Sequence, residues 1–75
     1  MSADTEDVLL LTSEVAEMVR LPEGTLRRYR YDGKGPAWFR SGRRAVYWRS
    51  AVLAWLRQQE QSSQEKQALE HRRSA

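Results

Sequence analysis

Apolar residues fall into groups whose spacing changes along the chain. The first seven residues are polar and acidic without any period, which predicts a flexible arm over residues 1–8. Leu9, Leu10 and Leu11 form an unbroken apolar run that ends at Thr12-Ser13-Glu14. There a hydroxyl can cap free N–H groups, and Glu14 occupies the first turn that the helix dipole favours. Val15, Ala16, Met18 and Val19 then recur at helical spacing, predicting a short amphipathic helix that ends near Arg20. Pro22 suits the entry to a second helix, from about Glu23 to Tyr31, whose apolar face is Leu26 and Tyr29 with Leu21 ahead as a staple.

Asp32-Gly33-Lys34-Gly35-Pro36 breaks the helical pattern. Two β-prone segments follow, Ala37-Trp38-Phe39-Arg40 and Ala45-Val46-Tyr47-Trp48, around Ser41-Gly42-Arg43-Arg44, and they read as a hairpin. Because side chains alternate with a period of two, turn length decides which face is buried. The preferred reading is a three-residue turn, which sets Phe39 opposite Tyr47 with both facing the core and leaves Trp38, Val46 and Trp48 outward. An even turn would place Phe39 on the face of Val46. A third helix begins near Arg49-Ser50 and carries Val52, Leu53, Trp55 and Leu56. From Gln58 onward Ala68 and Leu69 are nearly the whole apolar content, so residues 58–75 read as a polar tail or an extension of helix 3. Two short helices about three residues apart, the second rich in Arg, form a helix-turn-helix arrangement.

Charge sharpens this picture. The net +3 divides into −4 over residues 1–20, +7 over 21–57 and zero over 58–75. The middle segment holds eight Arg and one Lys, a polyanion-binding signal, since guanidinium forks phosphates and guanine edges where an ammonium cannot. The absence of Cys excludes disulfides, thiolate metal sites and a Cys nucleophile, and the single His71 lies in the tail. No metal site, cofactor, small-molecule substrate or enzyme activity is expected. No apolar run approaches about 18 residues and the acidic start is unlike a signal peptide, so the expectation is a cytoplasmic protein with no membrane partner.

Five segments in order resemble the excisionase/MerR-like winged helix-turn-helix family: Leu10–Met18, Thr25–Arg30, Gly33–Pro36, Ser41–Arg44 and Arg49–Leu56. The resemblance spans roughly residues 9–57 and implies a mainly α fold with a small β-hairpin wing. It further implies that helix 2 enters the major groove of double-stranded DNA while the wing reaches the minor groove or backbone. Position by position, Thr25, Arg27 and Arg28 match DNA-facing residues, Arg30 a backbone contact and Gly42-Arg43-Arg44 the wing tip. Leu26, Tyr29, Phe39, Tyr47, Val52, Trp55 and Leu56 match core positions. Pro22 and Glu23 depart from the usual small capper and polar residue at the start of helix 2. Val46 and Trp48 stand where Arg or another polar residue is usual, which suggests a protein-binding patch with Trp38.

The residues support the same sites independently. Arg27 and Arg28 lie about 100° apart on a helix, so both can address one groove. Glu23 can accept from cytosine N4, or simply favour the helix dipole. Arg43 and Arg44 repel each other at a turn tip and serve no core, so an anionic partner explains them; Arg40, Ser41 and Gly42 complete the wing. Thr12, Ser13, Lys34 and Arg49 are candidate backbone contacts, with plain capping the favoured role for Thr12 and Ser13. The leading functional reading is an excisionase of a phage or mobile element that bends attachment-site DNA in a bacterial host's nucleoid, with a cognate integrase and cooperative self-association as partners. The short chain favours this over a regulator carrying dimerisation and effector domains. A small AlpA-type transcription regulator is the alternative on the same fold, and an adaptor acting through the Trp patch is the alternative from another class.

Overall fold

A computed structural model describes residues 7–74, with side chains through Ala68. The order is β1 (Leu9–Leu11), α1 (Thr12–Val19), α2 (Glu23–Asp32), β2 (Phe39–Ser41), β3 (Arg44–Trp48) and α3 (Arg49–Ser74). β3 lies at the centre of an antiparallel sheet in the order β1-β3-β2. Three helices with a β2-β3 wing make a winged helix-turn-helix, and the apolar run Leu9–Leu11 adds a third strand to it. That run is too short to signal a strand alone; its partners Val46, Tyr47 and Trp48 lie more than thirty residues away.

The core is Val15 of α1, Leu26 of α2, Tyr47 of β3 and Val52 of α3, with Leu10, Ala16, Met18, Val19, Tyr29, Trp38 and Leu56 packed around it. Each helix thus contributes the residue its apolar period selects, β3 adds Tyr47, and Tyr29 meets Trp55 edge-on with ring centroids 6.2 Å apart. Between α1 and α2 the chain reverses through Arg20, a left-handed residue at φ 63° whose N–H donates to the Ala16 carbonyl. At α1 the cap differs from the expectation. Leu11 is the N-cap residue, without a side-chain cap bond, and its N–H donates to Glu14 Oε1 at 2.8 Å. Thr12 and Ser13 are already inside the helix, so neither hydroxyl is the cap.

The preferred hairpin register is overturned. Phe39 pairs with Val46, Arg40 with Ala45 and Ser41 with Arg44, leaving a two-residue turn at Gly42-Arg43. Gly42 has φ 65°, and a positive φ at the first position followed by an ordinary residue is the turn that matches strand twist. The even turn moves Phe39 to the outer face, where it is 40% exposed, and moves Trp38 inward against the core. Val46 points to that outer face but is 3% exposed, because Leu11 and Phe39 flank it from both neighbouring strands. The outward trio Trp38, Val46 and Trp48 is therefore replaced by Leu9, Phe39 and Trp48, each about two-fifths exposed, around a covered Val46.

Residues 1–6 of the segment assigned to a flexible arm lie outside the described residues. Asp7 and Val8, assigned to the same arm, are instead tied to α3. Arg49 N–H donates to the Val8 carbonyl at 2.8 Å, Ser50 N–H to Asp7 Oδ1 at 3.0 Å, and the Ser50 hydroxyl to Asp7 Oδ2. A carboxylate at a helix N-terminus satisfies free N–H groups and complements the dipole. The α3 helix runs on through the polar segment to Ser74, and residues 57–68 are exposed throughout.

Candidate nucleic-acid interface

Helical geometry sorts the α2 side chains. Leu26 is buried and Tyr29 half-buried on one side, while Gly24, Arg27, Arg28 and Tyr31 are exposed on the other. Glu23, Arg27 and Arg30, spaced four and three apart, share the edge that looks toward the wing. Across from them stand Arg40 of β2, Arg43 of the turn and Arg44 of β3, while Thr12 and Ser13 close one end. Together these residues line an open cleft of about 280 Å³. Four exposed arginines, one from α2 and three from the β2-β3 wing, thus face one concavity whose one acid is Glu23, and an extended polyanion is the ligand such a surface suits.

Several predicted site residues lie beside this cleft. Arg28 is exposed on the outer face of α2, Thr25 is half-buried, and Ser41 and Gly42 are exposed on the wing. Lys34 and Arg49 are not brought to it: Lys34 borders a depression with Tyr29, Trp55 and Gln59, and Arg49 opens α3 beside Val8. Trp38 sits behind the cleft wall, half-buried, with the guanidinium carbons of Arg30 and Arg40 each 5.5 Å from its ring centroid.

Arg30 differs from its neighbours. It is half-buried, and its Nη1 donates to Tyr47 Oη at 2.6 Å and to Thr12 Oγ1 at 3.2 Å. Its sequence environment, a run of arginines, carries no sign of this. Tyr31, which the charge and motif pattern does not single out, is 91% exposed and, with Arg27, Arg30, Trp38 and Arg40, borders a second open cleft. Its signal was available, since an aromatic four residues after Arg27 falls off the apolar face of the helix. Among the described residues no cluster of His, Asp or Glu is placed to hold a metal ion, and no helix is long and apolar enough to cross a membrane.

The architecture and this basic cleft define a DNA-binding winged helix-turn-helix. A helix-turn-helix domain family model matches residues 9–60, and the chain belongs to that family. No curated protein and no solved structure matches it.

Proposed function

We propose that the protein is an architectural, sequence-specific DNA-binding factor of the excisionase kind, which binds and bends attachment-site DNA to promote integrase-mediated excision. The observation that carries the DNA-binding part is the convergence of Arg27 with Arg40, Arg43 and Arg44 on one open cleft. In this reading α2 enters the major groove, with Arg27 and Arg28 reading bases and Glu23 and Thr25 at its leading end. The wing, Arg40 through Arg44, follows the backbone into the neighbouring minor groove, where a narrow groove concentrates negative potential. Thr12 and Ser13 at the start of α1 hold a phosphate at the cleft's end.

The excision role draws support from the outer sheet face. Leu9, Phe39 and Trp48 form an apolar patch on the side of the sheet opposite the core, and Phe39 and Trp48 rings lie 6.0 Å apart. A factor that assembles a nucleoprotein complex needs protein contacts beside its DNA contacts, and this patch can serve a cooperating copy or an integrase. An AlpA-type regulator on the same fold would bind an operator without needing that contact. The test is a footprint across DNA flanking the coding region together with a plasmid excision assay containing the cognate integrase. Protection of direct repeats and excision dependent on Phe39 and Trp48 are expected; protection of a single promoter operator with no effect on excision would establish the regulator instead.

A further inference from the structure

Arg30 lies at the junction of the elements that form the cleft. One Nη1 reaches Thr12, the first residue of α1, and Tyr47, in the middle of β3. The guanidinium carbon of the same side chain lies over the Trp38 ring, just ahead of β2, 5.5 Å from its centroid, and 6.0 Å from the Tyr47 ring centroid. The guanidinium carbon of Arg40 on the wing lies over that Trp38 ring at the same 5.5 Å. A planar fork can donate in its plane while stacking through its face, which an ammonium cannot do. The Tyr47 hydroxyl belongs to a side chain 1% exposed, so its bond to Arg30 is made where water competes little.

We propose that Arg30 is a positioning residue, fixing the wing at a set distance from α2 so that Arg27 and the wing arginines address one duplex, and that it does not itself neutralise a phosphate. The inference rests on the DNA-binding reading above. It separates Arg30 from Arg27 and Arg28, all three of which the sequence reads as DNA contacts.

The experiment compares the full chain with Arg30→Lys, Arg30→Gln, Tyr47→Phe and Arg43→Ala, titrating a mixed-sequence DNA duplex of two helical turns from about 50 to 200 mM salt. Arg30→Lys keeps the charge and loses the fork. If Arg30 positions, Lys and Gln variants both lose about tenfold in affinity and both lower the salt slope, because the wing arginines no longer reach the phosphates together, and the Lys charge does not rescue either. A Lys variant with wild-type affinity and slope would make Arg30 a phosphate contact and overturn the proposal, whereas Arg43→Ala gives the slope change, about 0.9, of losing a single contact. Amide hydrogen exchange in the absence of DNA supplies an independent readout. Faster exchange at Arg40–Ala45 in Arg30→Lys and Tyr47→Phe, with α3 still protected, is expected; unchanged exchange there overturns the positioning role. Tyr47→Phe keeps the core volume, so it carries the test if the Arg30 variants do not fold. Failure of the wild type to bind the duplex at low salt would sink the DNA-binding reading, and the exchange result would still judge the positioning role separately.

Discussion

Gly24 occupies the second position of α2, and a Cβ built there would meet no heavy atom within 4 Å. The fold therefore does not require glycine at that position, and glycine in a helix is less favourable than alanine by roughly 0.5–1 kcal/mol. Gly24→Ala should raise stability by about that amount, or less so close to the helix end. Yet Gly24 lies on the exposed side of α2 with Arg27, Arg28 and Tyr31, the side proposed to enter the major groove. A methyl group there occupies space the duplex would need. The expected outcome is a higher melting temperature with weaker DNA binding, checked by calorimetry and fluorescence anisotropy on one preparation. A variant that gains stability and binds as well as wild type would remove the leading end of α2 from the interface. Gly35 is the contrasting case: at φ 81°, with its Cβ position 3.1 Å from Tyr29 atoms, it is glycine for the fold's own reasons. Replacing it is strained whatever DNA does.

At the scale of elements, the start of α3 depends on a residue from the other end of the domain. Ser50's hydroxyl and backbone N–H both donate to the Asp7 carboxylate, and these bonds, the hydroxyl foremost, hold the Asp7 pKa below its ordinary value, while desolvation opposes them. A depressed folded-state pKa contributes stability that is fully present above the unfolded value, about 3.9, and is lost as pH falls through the folded value. Asp7→Asn should therefore be less stable than wild type at neutral pH, and the gap should close as the pH drops below about 4, measured by thermal melts across the acid range. A gap that stays constant with pH would mean the carboxylate's charge plays no part in the cap. This contact also marks what the sequence leaves illegible. The helices are legible because each repeats a local signal: Val15, Leu26 and Val52 lie on apolar faces that three- and four-residue spacing reveals. The pairing of Leu10 with Tyr47 and of Asp7 with Ser50 spans about forty residues and leaves no local period. The wing register turned on a single residue of loop length, and that one residue exchanged Trp38 and Phe39 between the two faces of the sheet. The basic cleft was legible as a set of arginines, but the distinction between Arg27, which faces solvent, and Arg30, which faces Tyr47, arises where α2 packs against β3.

For the molecule as a whole, the modest net charge hides a separation of charge that the fold preserves. The +7 segment supplies α2, the wing and the start of α3, whereas the acids Glu14 and Glu17 are on α1. Electrostatic binding to DNA is governed by this local concentration, because each neutralised phosphate releases condensed counterion whatever the total charge. If Arg27, Arg40, Arg43 and Arg44 each meet one phosphate, log affinity should fall against log salt with a slope of about −3.6. A rise from about 50 to 200 mM salt would then cost roughly 150-fold in affinity. Because Arg27 is proposed to read a base instead, the expected slope is shallower by about 0.9, near −2.7, and binding should be sequence-dependent at that position. Removing residues 61–75 provides a control at the same scale, since Gln61–Ala68 are exposed and carry no part of the core. That truncation should leave the salt slope unchanged. An adaptor whose arginines only solubilise it would show a nearly flat salt dependence, and its partner would compete at Leu9, Phe39 and Trp48, on the opposite face of the sheet from the core. The salt titration of wild type and truncated chain therefore decides between the two classes of function before any target sequence is known.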